Sequence, residues 1–169
     1  VYMLDWHDGD ICGNKVHDKD TGRVFRLAPP ETPYPTHFNL KDLNNQELVN
    51  LQFHKNDWYV RRARGILHER ASKGAVNEET HIQLRKHLEN QSDPGRKLRA
   101  LWALHVTGGV THEHLIDLLA SEYEYIRAWA IQLLCEDMHP GDTALEKFVS
   151  MARKDSSPVV RLYLASALQ

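Results

Sequence analysis

Four segments in the larger, C-terminal part of this chain superimpose on an arginine that directly follows an aliphatic residue: Val60-Arg61, Leu98-Arg99, Ile126-Arg127 and Val160-Arg161. The intervals are 38, 28 and 34 residues, the range in which self-similarity marks arrays of small helical units. Each copy opens a segment whose apolar residues fall at i, i+3, i+4, i+7 and i+8. The clearest are Ile126, Trp129, Ala130, Leu133 and Leu134, and Val160, Tyr163, Leu164, Ala167 and Leu168. That spacing places one apolar stripe on one side of a helix. A shorter amphipathic segment precedes each copy, at Gln46–Phe53, Glu79–Leu88, His112–Ala120 and Thr143–Ala152. The predicted unit is helix, turn, helix, repeated four times, and because a lone pair cannot bury its apolar face, neighbouring pairs must stack.

Helix-start and helix-stop residues agree with this division. Thr111 and Asp142 stand where N-caps are needed, and Ser157-Pro158 puts a cap before a proline at the first helical position. Gly74, Gly108-Gly109 and Gly141 fall between units, where the chain must turn. Proline separates this region from what precedes it: Pro29, Pro30, Pro33 and Pro35 crowd one short stretch, whereas only Pro94, Pro140 and Pro158 follow residue 39. Such a stretch continues neither a strand nor a helix interior. The expected organisation is therefore a β and loop segment over 1–28, a proline-rich linker over 29–38 and a helical array over 39–169. Within 1–28, the apolar start and the alternating Gly22–Leu27 segment predict two short strands joined by a long loop.

Composition narrows the class of function. With 41% hydrophobic and 26% charged residues among 169, the chain is expected to fold. Its 21 basic and 23 acidic side chains leave a formal charge of −2, which gives no field to gather phosphates, so no nucleic-acid partner is expected. No apolar run reaches the length of a membrane span. Val1 opens inside an apolar stretch with no signal-peptide pattern, and the expectation is a piece of a longer protein.

Two resemblances carry the interpretation further. Residues 155–168, in which Asp155 and Pro158 lead into the run VVRLYLASAL, closely resemble the second-helix signature of HEAT repeats, with weaker copies at 93–104 and 122–134. The resemblance implies an all-α fold, a right-handed α-solenoid of about four HEAT-like pairs after a short N-terminal β remnant. It also implies that Arg61, Arg99, Arg127 and Arg161 form a structural ladder paired with acidic residues of the same or neighbouring repeats, with Asp57, Asp93, Glu122 and Asp155 as candidates. The second resemblance is more specific and covers the whole chain. Residues 5–27, DWHDGDICGNKVHDKDTGRVFRL, are similar to the closing segment of the β-propeller in membrane-bound dehydrogenases related to sorbosone and glucose dehydrogenases. In that family HEAT repeats follow the propeller, often opened by a motif like NDWYVRRAR, which stands here at 56–64. A cytochrome c domain commonly comes next. Pyrroloquinoline quinone, calcium, haem c and sugar or aldehyde oxidation would then belong to the parent protein, and a periplasmic or cell-envelope location is implied.

Several constellations bear on chemistry within the chain itself. Asp5, His7, Asp8, Asp10, Cys12, His17, Asp18 and Asp20 are dense enough to hold calcium or zinc, although the spacing matches no standard site and Asp also caps turns in any solvated loop. Cys12 and Cys135 lie in no CxxC pattern and are either two thiols or one disulfide. His112, His114 and His139 could meet on one rim of the array. His105 falls on the apolar face and is expected to be a core histidine with one backbone hydrogen bond. Trp102, Trp129 and Tyr163 take core-facing positions, while Trp58 and Tyr59 precede the first stripe and could cover an end of the stack. No Ser-His-Asp order, phosphate-binding glycine loop or HExxH pattern occurs.

The sequence therefore predicts a non-catalytic docking or spacer module, partnered by adjacent propeller and cytochrome-like domains or by another protein. Two alternatives stay open: the 5–20 loop contributes to the substrate or metal site of a quinone-dependent dehydrogenase propeller, or the chain is a free-standing interaction scaffold.

Overall fold

The computed structural model describes residues 1–5, 23–33 and 38–168, which belong to two compact units, Val1–Phe38 and Asn39–Gln169. In the first, strands β1 (Tyr2–Asp5) and β2 (Arg23–Arg26) pair antiparallel with Tyr2 opposite Arg26 and Asp5 opposite Arg23. The Leu27 amide extends the ladder by donating to the Val1 carbonyl at 2.8 Å. Apolar side chains lie exposed on both faces of this ribbon, Leu4 and Val24 at 83% and 67% and Met3 and Phe25 at 46% and 43%. A two-stranded ribbon alone gives such residues nothing to pack against.

The second unit is helical. Its helices are α1 (Asn45–Asn50), α2 (Asp57–Ala71), α3 (Glu78–Asn90), α4 (Pro94–Val106), α5 (His112–Leu118), α6 (Glu124–Leu134), α7 (Asp142–Lys154) and α8 (Pro158–Ser166), with 3-10 turns at Leu40–Asp42 and Leu51–Phe53. The starts are explained by side-chain caps: Asn44, Asn56, Asn77, Asp93, Thr111 and Ser157 each accept a hydrogen bond from a backbone amide in the first turn. Asn44 and Glu47 form a reciprocal capping box. Asp142 departs from expectation. It is the first residue of α7 and caps nothing, because the N-cap position is taken by Gly141 at φ 77°, a left-handed conformation that favours glycine.

Consecutive helices pack as α1 with α2, α3 with α4, α5 with α6 and α7 with α8. In addition α2, α4, α6 and α8 form a row in which each touches the next. A helix in the middle of that row needs apolar residues on more than one side. In α4 Ala100, Leu101, Ala103 and Leu104 are fully buried, and in α6 Ala128, Ala130 and Ile131 are. The alanines let neighbouring backbones approach, and the leucines and isoleucine fill the space between pairs. All four aliphatic residues that precede the recurrent arginines, Val60, Leu98, Ile126 and Val160, are buried. Leu168 is the exception within the expected stripes: α8 ends at Ser166, and Leu168 is 89% exposed.

The connection between α4 and α5 is held tightly. Gly108 adopts φ 74° to turn the chain, and the following Gly109 passes against α3. A Cβ on Gly109 would stand 2.5 Å from the His81 ring and 2.9 Å from Leu104. The Arg85 guanidinium donates to the Gly109 carbonyl at 3.1 Å, and the His81 Nε2 bonds the Thr107 carbonyl at 3.2 Å. Gly65, in the middle of α2, has nothing within 4 Å of where its Cβ would be. Two glycine-to-alanine substitutions should therefore act with opposite signs. Gly109→Ala is expected to destabilise the fold by about 1–3 kcal/mol through overpacking, and Gly65→Ala to stabilise it by about 0.5–1 kcal/mol through helix propensity. Urea unfolding of both variants checks this; the same sign for both would contradict the packing described here.

Candidate functional site

The recurrent arginines do not all reach the same kind of partner. Arg61 bonds Asp57 one turn earlier on α2, Nε to Oδ2 at 2.5 Å. Arg99 on α4 turns to the preceding pair, donating to Asp57 Oδ1 and to the His54 carbonyl, both at 3.3 Å. Arg127 on α6 turns the other way. It grips both oxygens of Asp155 at 2.8 and 2.9 Å and donates to the carbonyls of Ser121 and Glu122 at 2.8 and 3.2 Å. Arg161 donates to the Asp155 carbonyl, at 2.8 Å. The expected partners therefore divide: Asp57 and Asp155 serve, while Asp93 caps α4 and Glu122 offers a carbonyl instead of its carboxylate.

Arg127 and Asp155 are the enclosed pair, their side chains 15% and 8% exposed. Asp155 also accepts from the Ser157 amide at 2.9 Å. The Arg127 hydrogen bond, aided by that amide and opposed by burial, holds the Asp155 carboxyl below the usual carboxylate range.

On the solvent side of the inner row, α2, α4 and α6 enclose a groove of about 450 Å³. Its floor is aromatic. Trp102 and Trp129 meet edge to face with ring centroids 4.9 Å apart, and Tyr163 on α8 continues the row 6.5 Å from Trp129. These three were expected to be core-facing; each is half-buried and packed against the core, and Trp102 and Trp129 also line the groove, whereas Tyr163 lines a separate recess with Ile131 and Cys135. Val106 and Leu133 complete the apolar part. Arg61, Arg64 and Arg99 stand at one end around Asp57, and His105 and Glu136 at the other. His105 is not the backbone-bonded core histidine expected. Its ring is half-buried and its Nε2 lies 2.6 Å from Glu136 Oε2, because its position on α4 faces α6 across the groove instead of the core.

Arg64 is the residue that the sequence pattern overlooked. It falls outside the aliphatic-arginine register, and its only signal is a position three residues after Arg61, which puts both on one helix face. Its guanidinium carbon lies 5.1 Å from the Trp102 ring centroid. Among the described residues its buried Nη1 finds no hydrogen-bond partner, and neither does the indole Nε1 of Trp102. Burial pushes the Arg64 guanidinium below its ordinary pKa; nearby Asp57 opposes this, while Arg61 and Arg99 add to it.

The other predicted site residues are placed as follows. His7, Asp8, Asp10, Cys12, His17, Asp18 and Asp20 lie outside the described residues, and Asp5 is described only as the last residue of β1. Cys135 is a half-buried thiol whose pKa burial raises. His112 does reach the loop that contains His139, but its Nε2 bonds the Pro140 carbonyl at 2.8 Å, and the His139 Nδ1 bonds the Asp137 carbonyl at 2.7 Å. Among the described residues, no group of three or more His, Cys, Asp or Glu is arranged to hold a metal ion, and no helix is long and apolar enough to cross a membrane. No protein-family model matches the chain, and no curated protein matches it.

The enclosed ion pair generates a prediction. Arg127→Ala should destabilise the fold by about 1–3 kcal/mol at neutral pH, since Asp155 and two carbonyls lose their donor, and Arg161→Ala should cost much less. A carboxylate with a depressed folded-state pKa stabilises above its unfolded pKa and loses that contribution as pH falls through the folded value. The gap between wild type and Arg127→Ala should therefore narrow as the pH drops below about 4. Thermal unfolding across pH measures it, and a gap that stays constant to low pH would contradict the assignment.

Proposed function

We propose that residues 39–169 are a HEAT-like α-solenoid that serves as a docking and spacer module, carrying no catalytic step, within a larger protein of the membrane-bound dehydrogenase kind. The observation that carries this reading is the inner row itself. Helices α2, α4, α6 and α8 touch in sequence, and the first three present an aromatic and charged groove, an arrangement suited to holding an extended partner. The far end of the row adds a second surface: a groove of about 420 Å³ between α7 and α8 lined by Leu145, Phe148, Val149 and Leu164 among others, with Leu145 and Val149 about half exposed at 47% and 54%. Contiguous apolar surface of that kind marks interaction sites. The exposed residues on both faces of the β1–β2 ribbon are what a strand pair of a larger sheet would show. They support a parent propeller, to which quinone, calcium and haem chemistry would belong.

Sugar or aldehyde oxidation requires a positioned base and an electron sink, and under this proposal both reside in other parts of the parent. The purified chain, given pyrroloquinoline quinone, calcium and an artificial electron acceptor, is expected to show no turnover of a panel of aldoses and aldehydes. Turnover that disappears on His7→Ala or Asp8→Ala would overturn the proposal and put an active site within residues 5–20.

A further inference from the structure

We infer that the groove over Trp102 and Trp129 takes an acidic peptide segment carrying an aromatic or large aliphatic side chain, an inference that rests on the docking role proposed above. Three features of the groove lead to that ligand. The first is uneven charge. Asp57 is already shared by Arg61 and Arg99, and Glu136 is engaged by His105, so among the described residues the guanidinium of Arg64 is the cation left over at the groove end. The second is a deficit of acceptors. Arg64 Nη1 and Trp102 Nε1 are buried donors that no described residue satisfies, and buried donors in native proteins are nearly always satisfied. A carboxylate set against the plane of Arg64 would supply acceptor oxygens in the geometry that a guanidinium favours. It would also relieve the cost of burying that charge between Arg61 and Arg99.

The third feature is extent, and it separates a peptide from a small anion. From the arginines the groove continues over the rings of Trp102 and Trp129, 4.9 Å apart, to Val106 and Leu133, an apolar extent that at least about two residues of extended chain would cover. Free phosphate would touch only the arginine end and leave the aromatic floor bare. An acidic segment with an interspersed apolar side chain uses both: the carboxylate pairs with Arg64 while the ring or branched side chain packs on Trp129.

The probe is a fluorescein-labelled peptide, Glu-Asp-Phe-Glu-Phe-Asp-Glu, titrated with the full chain at low salt and followed by anisotropy. Comparison peptides replace both Phe by Ser, or all acidic residues by Lys. The expected result is saturable binding of the first peptide, with at least about fivefold weaker binding of the Ser peptide and none of the Lys peptide. Arg64→Gln should weaken binding about tenfold, Arg61→Gln less, and Arg153→Gln on α7 should leave it unchanged. Unfolding temperatures of each variant identify any loss that comes from misfolding, and Arg61→Gln, altering a side chain 77% exposed, keeps the test decisive if Arg64→Gln fails to fold. Equal affinity for the Phe and Ser peptides, indifference to both arginine variants, complete displacement by millimolar inorganic phosphate, or no binding at all would each overturn the inference. Loss of this inference leaves the docking role standing unless the turnover assay also fails, so the two outcomes are separable.

Discussion

The structure depends on helices that are buried on more than one side. Ala100, Leu101, Ala103 and Leu104 of α4 are inaccessible to solvent together, and that requires packing against α3 within the pair and against α2 and α6 on either flank. The same holds for Ala128, Ala130 and Ile131 of α6. Remove one neighbouring pair and a set of residues that is otherwise dry becomes exposed, at roughly 25 cal/mol per Å² of apolar surface. Stacking is thus a condition for each pair to fold, and the repetition visible in the sequence is its trace.

Once the row exists, its polar decoration follows. A stack leaves carbonyls and turn residues at the junction of each pair, and arginines on the inner helices reach them. Arg99 ties α4 back to the His54 carbonyl and Asp57, whereas Arg127 ties α6 forward to Asp155. The contributions differ with exposure: the Arg127–Asp155 pair is enclosed and bidentate, while Arg61 lies 77% exposed and its pair with Asp57 adds little to stability. Where the inner row faces solvent, the rings that pack it also floor the groove. Under the proposed docking role, one set of residues thereby serves stacking and ligand capture together.

Much of the fold was legible in the sequence because period and capping are local signals. The four apolar stripes, the caps at Thr111 and Ser157 and the glycine turns at Gly74 and Gly108 stand where the pattern puts them. Asp142 was misplaced because a glycine at positive φ took the cap position one residue earlier, and Leu168 because the last stripe outlasts its helix. The groove was less legible. Arg64 carries no register signal, and its isolation depends on Asp57 and Glu136 being occupied by others. His105 was assigned to the core because periodicity alone does not tell a helix face that meets another helix from one that overlooks a gap between two. The partners of Arg99 and Arg127 were legible only as acidic residues nearby, since the direction in which each side chain turns is fixed by the neighbouring pair.

Dependence of each pair on its neighbours can be measured by native-state hydrogen exchange on wild type and Leu164→Ala, which removes a nearly buried α8 side chain beside α7 and is expected to remove about 2–5 kcal/mol locally. Interactions confined to nearest neighbours predict a graded response: protection lost in α7 and α8, reduced in α6, and retained in α2 and α3. A uniform loss of protection from α1 to α8 would show one indivisible core and contradict the account of stacked, neighbour-dependent pairs.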